Sequence, residues 1–144
     1  MSVELHTAPF DPWQALAHYQ AEHLAPGAFG GTAVFVGTMR DFNDGLAIED
    51  LFLEHYPGMT ERELERIVSV HVERHELLDA LVHHRVGAIR PGEPIVLAAA
   101  WSAHRAAAFE ACRGLVEDLK HRAPFWKHET SETGDRWVEH NTRG

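Results

Sequence analysis

Residues Ile95–Arg122 read IVLAAAWSAHRAAAFEACRGLVEDLKHR, and the change of pattern within this stretch decides the fold class. Ile95 to Trp101 is a short, continuously apolar run that predicts a strand. Ser102 then caps a helix whose apolar stripe is Ala108, Phe109, Cys112, Leu115, Val116 and Leu119, and Pro124 marks where that helix must already have stopped. Strand and helix therefore follow each other within one segment. Upstream, Leu81 to Val86 predicts another strand, separated from the first by the turn-forming Arg90-Pro91-Gly92.

The same punctuation continues outward. Val3 to Thr7 predicts a short strand, and Asp11-Pro12 supplies the N-cap and first position of a helix to about His23, ended by Pro26-Gly27. Thr32 to Met39 and Ala47 to Glu54 flank the turn signal Asn43-Asp44-Gly45 and predict a hairpin. Thr60-Glu61-Arg62-Glu63 fits a capping box, after which Leu64, Ile67, Val68, His71 and Val72 recur at helical spacing to about residue 77. Phe125 to Glu129 predicts an extended segment, and Trp137-Val138 a final strand after the loop Thr133-Gly134-Asp135. No repeat, linker or composition break divides the 144 residues, so residues 1–144 are expected to form one α+β domain of three helices against mainly antiparallel strands. A chain of this length buries roughly 70% of its unfolded surface.

Composition narrows the function. Lys plus Arg is 13 against 22 Asp plus Glu, a net charge of −9, the wrong sign for holding a phosphate backbone, so nucleic acid is not an expected partner. The longest apolar run falls far short of the ~20 residues that cross a bilayer, and no basic-then-apolar segment opens the chain, which predicts a cytoplasmic location. A single cysteine, Cys112, excludes an internal disulfide and lies on an apolar stripe, as an inert buried thiol would. The twelve histidines fix no third ligand by spacing. His71 and His75 lack the glutamate directly after the first histidine that a zincin helix needs, and His83-His84 alternate across a strand, so no metal site or cofactor is expected.

Lysine usage is the informative detail. Only two of the 13 basic residues are Lys, and Lys120 and Lys127 lie seven positions apart. Arginine supplies fixed charge, whereas lysine can also give up its proton and act in acid–base or nucleophilic chemistry. Lys120 to His128 carries five potentially cationic side chains in nine residues, interleaved with Phe125 and Trp126. Helix-terminal capping accounts for Lys120 and Arg122 but not for Lys127. A second misfit is Ser102-Ala103-His104-Arg105: cations in a first helical turn oppose the macrodipole by about 0.3–1 kcal/mol each, and a bound anion reverses that cost. An exposed arginine paired with a carboxylate accounts for the same residues without a ligand.

Leu53-Glu54-His55-Tyr56-Pro57-Gly58-Met59-Thr60, Ser102-Ala103-His104-Arg105 with Ala108-Phe109, Leu119-Lys120 through Arg122-Ala123-Pro124-Phe125-Trp126-Lys127 with Glu129, and Gly134-Asp135-Arg136-Trp137-Val138-Glu139 together resemble the large, catalytic subunit of molybdopterin synthase, in order and spacing from about Gly30 to Glu139. The resemblance implies an α/β hammerhead with an additional antiparallel β part, dimerising through the large subunit within a heterotetramer. It implies a small ubiquitin-like partner whose thiocarboxylated C-terminal glycine donates sulfur, and cyclic pyranopterin monophosphate as the substrate that becomes molybdopterin. Its substrate contacts fall on Thr38, Met39, Arg40, His104, Arg105, Lys120, Lys127, His128 and Glu129, with Lys120 and Lys127 attending the chemistry. Thr38 stands where some members have Lys. The stretch where the family often sends a basic side chain into the neighbouring protomer reads His140-Asn141-Thr142-Arg143, which leaves that contact open between His140, Asn141, Arg143 and none. Two rivals remain from the residues alone: a non-catalytic adaptor that docks the tail without a pterin, and a metal-dependent hydrolase using His71 and His75.

Overall fold

The computed structural model describes the backbone of residues 1–43, 46–131 and 134–138, with side chains at 1–41 and 50–127. In chain order the elements are β1 (Ser2–His6), α1 (Pro12–His23), β2 (Gly31–Thr38), β3 (Phe42–Asn43), β4 (Leu46–His55), α2 (Met59–Arg74), β5 (Asp79–Arg85), β6 (Gly87–Ile89), β7 (Pro94–Ser102), α3 (Arg105–Arg122), β8 (Phe125–Ser131) and β9 (Gly134–Val138). Strands β1, β5, β7 and β2 form one sheet in that order, antiparallel except for the parallel β1–β5 pair. A second sheet runs β3–β4–β8–β9, with β6 also on β4. The α+β class is therefore as the sequence predicts.

Strand β7 is apolar throughout because helices cover both its faces. Ala98 and Ala100 join Val82, Leu64, Val68, Leu115 and Leu119 beneath α2 and α3, while Leu97, Ala99 and Trp101 join Leu81 and Tyr19 beneath α1. Helix α1 starts as read, with Asp11 accepting from the Trp13 and Gln14 N–H groups. The start of α1 and the end of α3 thus follow the local signals.

Three local expectations fail, each for a tertiary reason. The predicted hairpin of Thr32–Met39 with Ala47–Glu54 does not form: β2 pairs with β7, whereas β4 pairs with β8 and β6, and the hairpin is the short β3–β4. Residues 44 and 45 of its turn signal lie outside the described residues. The capping box sits two positions earlier than read, the Gly58 N–H donating to Glu61 Oε1 at 3.0 Å. Thr60 instead accepts from the Tyr56 N–H and donates to the Pro124 carbonyl, tying the start of α2 to the entry of β8. Phe109 is 68% exposed, because it overhangs β2, the last strand of its sheet, with no further strand to cover it.

Helices α2 and α3 meet through a pair between buried His71 and half-buried Asp118, Nε2 to Oδ2 at 2.7 Å. Gly114 faces that imidazole, and a Cβ there would sit 2.5 Å from His71 Cε1. A Gly114→Ala chain gains up to ~1 kcal/mol of helix propensity but overpacks a ring that its own hydrogen bond holds in place, which costs about 1–3 kcal/mol. Urea unfolding of that variant is expected to show a net loss of stability, and an unchanged or raised midpoint would show that the ring yields freely.

Candidate functional site

The singled-out residues sort to two ends of the first sheet. At one end β2 begins where β7 finishes: the Gly30 N–H donates to the Ser102 carbonyl at 2.9 Å, and Gly31 lies against the Arg105 backbone, a Cβ there falling 3.3 Å from its Cα. A Cβ on Gly30 would collide with the Ala103 carbonyl, so this glycine pair exists for close backbone approach. Here α3 opens. His104 is its N-cap in place of the predicted Ser102, which lies two residues upstream and whose hydroxyl accepts from the His104 N–H at 3.3 Å. No side chain caps the first turn, and His104 and Arg105 are both exposed beside it. Among the described residues, the arginines in ion pairs are Arg66, Arg85 and Arg122, and no described carboxylate pairs with Arg105. Open N–H groups, the helix dipole and a guanidinium together suit a phosphate or carboxylate.

Helix α3 then runs back across the sheet. Cys112 Sγ meets the Ala98 carbonyl at 3.7 Å, halfway along β7, and burial pushes this thiol up to about 11, so it is not a nucleophile at neutral pH. Lys120 lies in the last turn, half-buried. Fifteen residues separate Arg105 from Lys120, which places them about 22 Å apart along the axis.

The other end gathers most of the remaining candidates. Thr38 finishes β2 opposite Pro94 and is exposed, as is Arg40. Met39 between them is in the core with Leu51, Leu53 and Ile89, and both its backbone groups are used, the N–H by the Glu93 carbonyl and the carbonyl by the Gly92 N–H. Met39 is therefore an anchor for its neighbours, its side chain packed in the core. The anchor has its own support. Buried Arg85 donates to the Ala88 carbonyl at 2.6 Å and pairs with Glu93 at 3.5 Å, which fixes the turn that grips Met39.

Strand β8 brings Lys127 to this end. Phe125 stacks on His84 with ring centroids 4.2 Å apart, and His84 stands across β7 from Gly37, both in register with Val96. Lys127 is half-buried, and its backbone pairs with Leu53 on β4 and Val138 on β9. Burial pushes the His84 imidazole down to about 4, the nearby Lys127 charge adding to the shift and a 2.7 Å bond to the Arg85 carbonyl opposing it. That bond places the proton on Nδ1, so His84 is a neutral neighbour of Lys127. His128 and Glu129 follow in β8, in register with Phe52 and Leu51. Glu139, His140, Asn141 and Arg143 lie outside the described residues.

The structure thus brings Thr38, Arg40, Lys120 and Lys127 to one end of the sheet and leaves His104 and Arg105 at the other. The sequence did not flag His84 or the Arg85–Glu93 support. The doublet His83-His84 was legible only as alternation, and Arg85 gave no signal until its burial was visible. Among the described residues, the group with the composition of a metal site is Glu4, His6 and His83, on the opposite face of β5 from His84. His71, one of the two histidines of the hydrolase rival, is already occupied by Asp118.

Comparison with known proteins is consistent across sequence and structure. The family model described as MoaE protein matches residues 5–122. A molybdopterin synthase catalytic subunit of Pseudomonas aeruginosa is 48% identical over 139 residues, covering 96% of this chain and 91% of that protein. Among solved structures, a molybdopterin biosynthesis MoaE protein of Burkholderia ambifaria superposes with a TM-score of 0.81 at 37% identity, covering 99% of this chain and 92% of that one. A molybdopterin synthase of Staphylococcus aureus gives 0.84 at 29% identity, covering 95% and 96%.

The depressed His84 pKa has a consequence for stability. The unfolded chain takes up a proton near the ordinary value of 6.5 and the folded chain only near 4, so acid favours unfolding across that window. Urea unfolding is expected to show His84 alone removing on the order of 2 kcal/mol between pH 7 and pH 5. In a His84→Phe chain, which keeps the ring stack, the loss should be smaller by about that amount, and equal losses in the two chains would place the titrating group elsewhere.

Proposed function

The chain belongs to the MoaE protein family and is a molybdopterin synthase catalytic chain of molybdenum-cofactor biosynthesis, and from that premise we propose how its own residues divide the work. It acts in the cytoplasm as a single-domain subunit of a homodimer within a heterotetramer. Its substrate is cyclic pyranopterin monophosphate. The two sulfurs of the dithiolene come from the thiocarboxylated C-terminal glycine of a small ubiquitin-like subunit, which leaves the buried thiol of Cys112 without a part in the chemistry.

One observation carries the assignment of roles: the length of α3 holds two cationic ends of the chain apart. A single phosphate group cannot touch Arg105 and Lys120 of the same protomer across about 22 Å. In the dimer, His104 and Arg105 of one copy meet Thr38, Arg40, Lys120, Lys127, His128 and Glu129 of the other, so each substrate sits between two chains. The helix mouth and its arginine hold the cyclic phosphate. Lys120 faces the incoming C-terminal carboxyl group. Lys127, beside a neutral imidazole that adds no competing charge, stabilises negative charge as it moves onto the leaving oxygen of the pterin side chain, or protonates that oxygen.

Two experiments test this. Incubated with thiocarboxylated small subunit and cyclic pyranopterin monophosphate, the Lys127→Arg chain is expected to keep substrate affinity and lose turnover by about 10²–10⁴-fold, whereas near-normal dithiolene formation would remove lysine chemistry. The shared site is tested by mixing Lys127→Ala and Arg105→Ala chains, each inactive alone. Statistical exchange into dimers gives half the molecules one intact site of two, so activity should return to about a quarter of normal. No recovery after verified exchange would place both residues in the same protomer's site.

A further inference from the structure

Outside that site, the parallel pairing of β1 with β5 assembles a second chemical group on the α1 face of the sheet. Glu4 stands in register with His83, and His6 follows two residues later on the same side of β1. His6 Nε2 lies 2.8 Å from His83 Nδ1, while the Glu4 carboxylate reaches to 4.0 Å from His6 Nε2 and 3.5 Å from His83 Nε2. One ligand atom from each of the three lies within 4.8 Å of the other two. We infer that Glu4, His6 and His83 form a binding site for a divalent transition-metal ion of the zinc class.

Three features favour an ion over a plain histidine pair. Two imidazoles and one carboxylate is the three-ligand set of an open zinc site, with a solvent molecule left for the fourth position. Donors bonded at about 2.0–2.2 Å in a tetrahedron stand a little over 3 Å apart, so the two imidazoles separate slightly and the carboxylate closes in. The movable member is the exposed one: Glu4 is 58% exposed, against 22% for His6 and 10% for His83. The rings are also oriented in advance. Phe10 stacks on His6 at 4.4 Å with an interplanar angle of 8° and flanks His83 at 5.8 Å, giving the ligands the apolar backing that holds metal-site imidazoles in place. An ion here would clamp the edge strand β1 to β5. It would act on the opposite face of β5 from His84 and the Lys127 end.

The test uses the full chain stripped with chelator and titrated with Co²⁺ and then Zn²⁺. Expected is one equivalent bound with the visible d–d absorption of four-coordinate Co²⁺, displaced by Zn²⁺, and a raised melting temperature with Zn²⁺. Glu4→Gln should weaken binding at least ~10-fold and His6→Gln should abolish the spectrum, while His121→Gln on the exposed end of α3 should change neither. Because Glu4 is exposed, its variant separates ligand loss from misfolding. An absent or six-coordinate cobalt spectrum, or stoichiometric binding that survives the Glu4→Gln/His6→Gln double change, overturns the site.

Discussion

The close approach of two backbones at Gly30 and Gly31 governs where the chemistry lies. With no side chain in the way, the start of β2 packs directly on the turn from β7 into α3, so the helix must open at that end of the sheet. Everything downstream follows from a fixed rise per residue. Cys112 reaches the middle of β7, Lys120 the far end, and Pro124 the point where β8 is tied to α2 through Thr60. Alternation along β8 then gives Phe125 to His84 and sets Lys127 on the same side of the strand. The distance between the arginine mouth and the two amines is therefore a property of one helix and its sheet, and no rearrangement of surface side chains could close it. On the proposed assignment, a substrate that needs both sets of charges is shared between two chains.

Much of the fold was legible because its signals are local. Asp11-Pro12 named the start of α1, Arg90-Pro91-Gly92 the turn before β7, and the apolar run Ile95–Trp101 the strand that β7 proves to be. Pairing was not legible in the same way. The segments Thr32–Met39 and Ala47–Glu54 carry a turn signal between them, yet β2 finds its partner in β7, some sixty residues on, and β4 finds β8 still later. Local turn chemistry proposes a neighbour, and burial of two apolar faces decides. Phe109 shows the complementary limit: helical spacing puts it near the buried row of α3, but whether a strand lies beneath it depends on which strand ends the sheet.

For the site, the sequence showed which residues broke local rules and could not show how far apart they lay. Arg105 in a first turn and Lys127 beyond a helix end were recognisable as misfits from charge and position alone. That they stand at opposite ends of α3 required knowing that the helix folds back over β2 and β7. Met39 shows what the sequence could not, that a side chain of the same segment packs in the core. Arg85 and Glu93 were invisible because a buried arginine looks like a surface one in a sequence, and only its contact with the turn at Met39 gives it a part in placing Arg40.

The charge of the chain bears on how such a site can attract anions at all. A protein of net charge −9 repels a phosphate and a carboxylate at long range, and at physiological ionic strength that repulsion is screened within about 8 Å. What an approaching anion meets is therefore the local set, and here five potentially cationic side chains lie between Lys120 and His128. Screening leaves short, partly buried contacts nearly intact, so the half-buried Lys120 and Lys127 keep more of their attraction than exposed charges would. A neutral His84 matters for the same reason: a second charge on that ring would stand against Lys127 in a place where water cannot screen it.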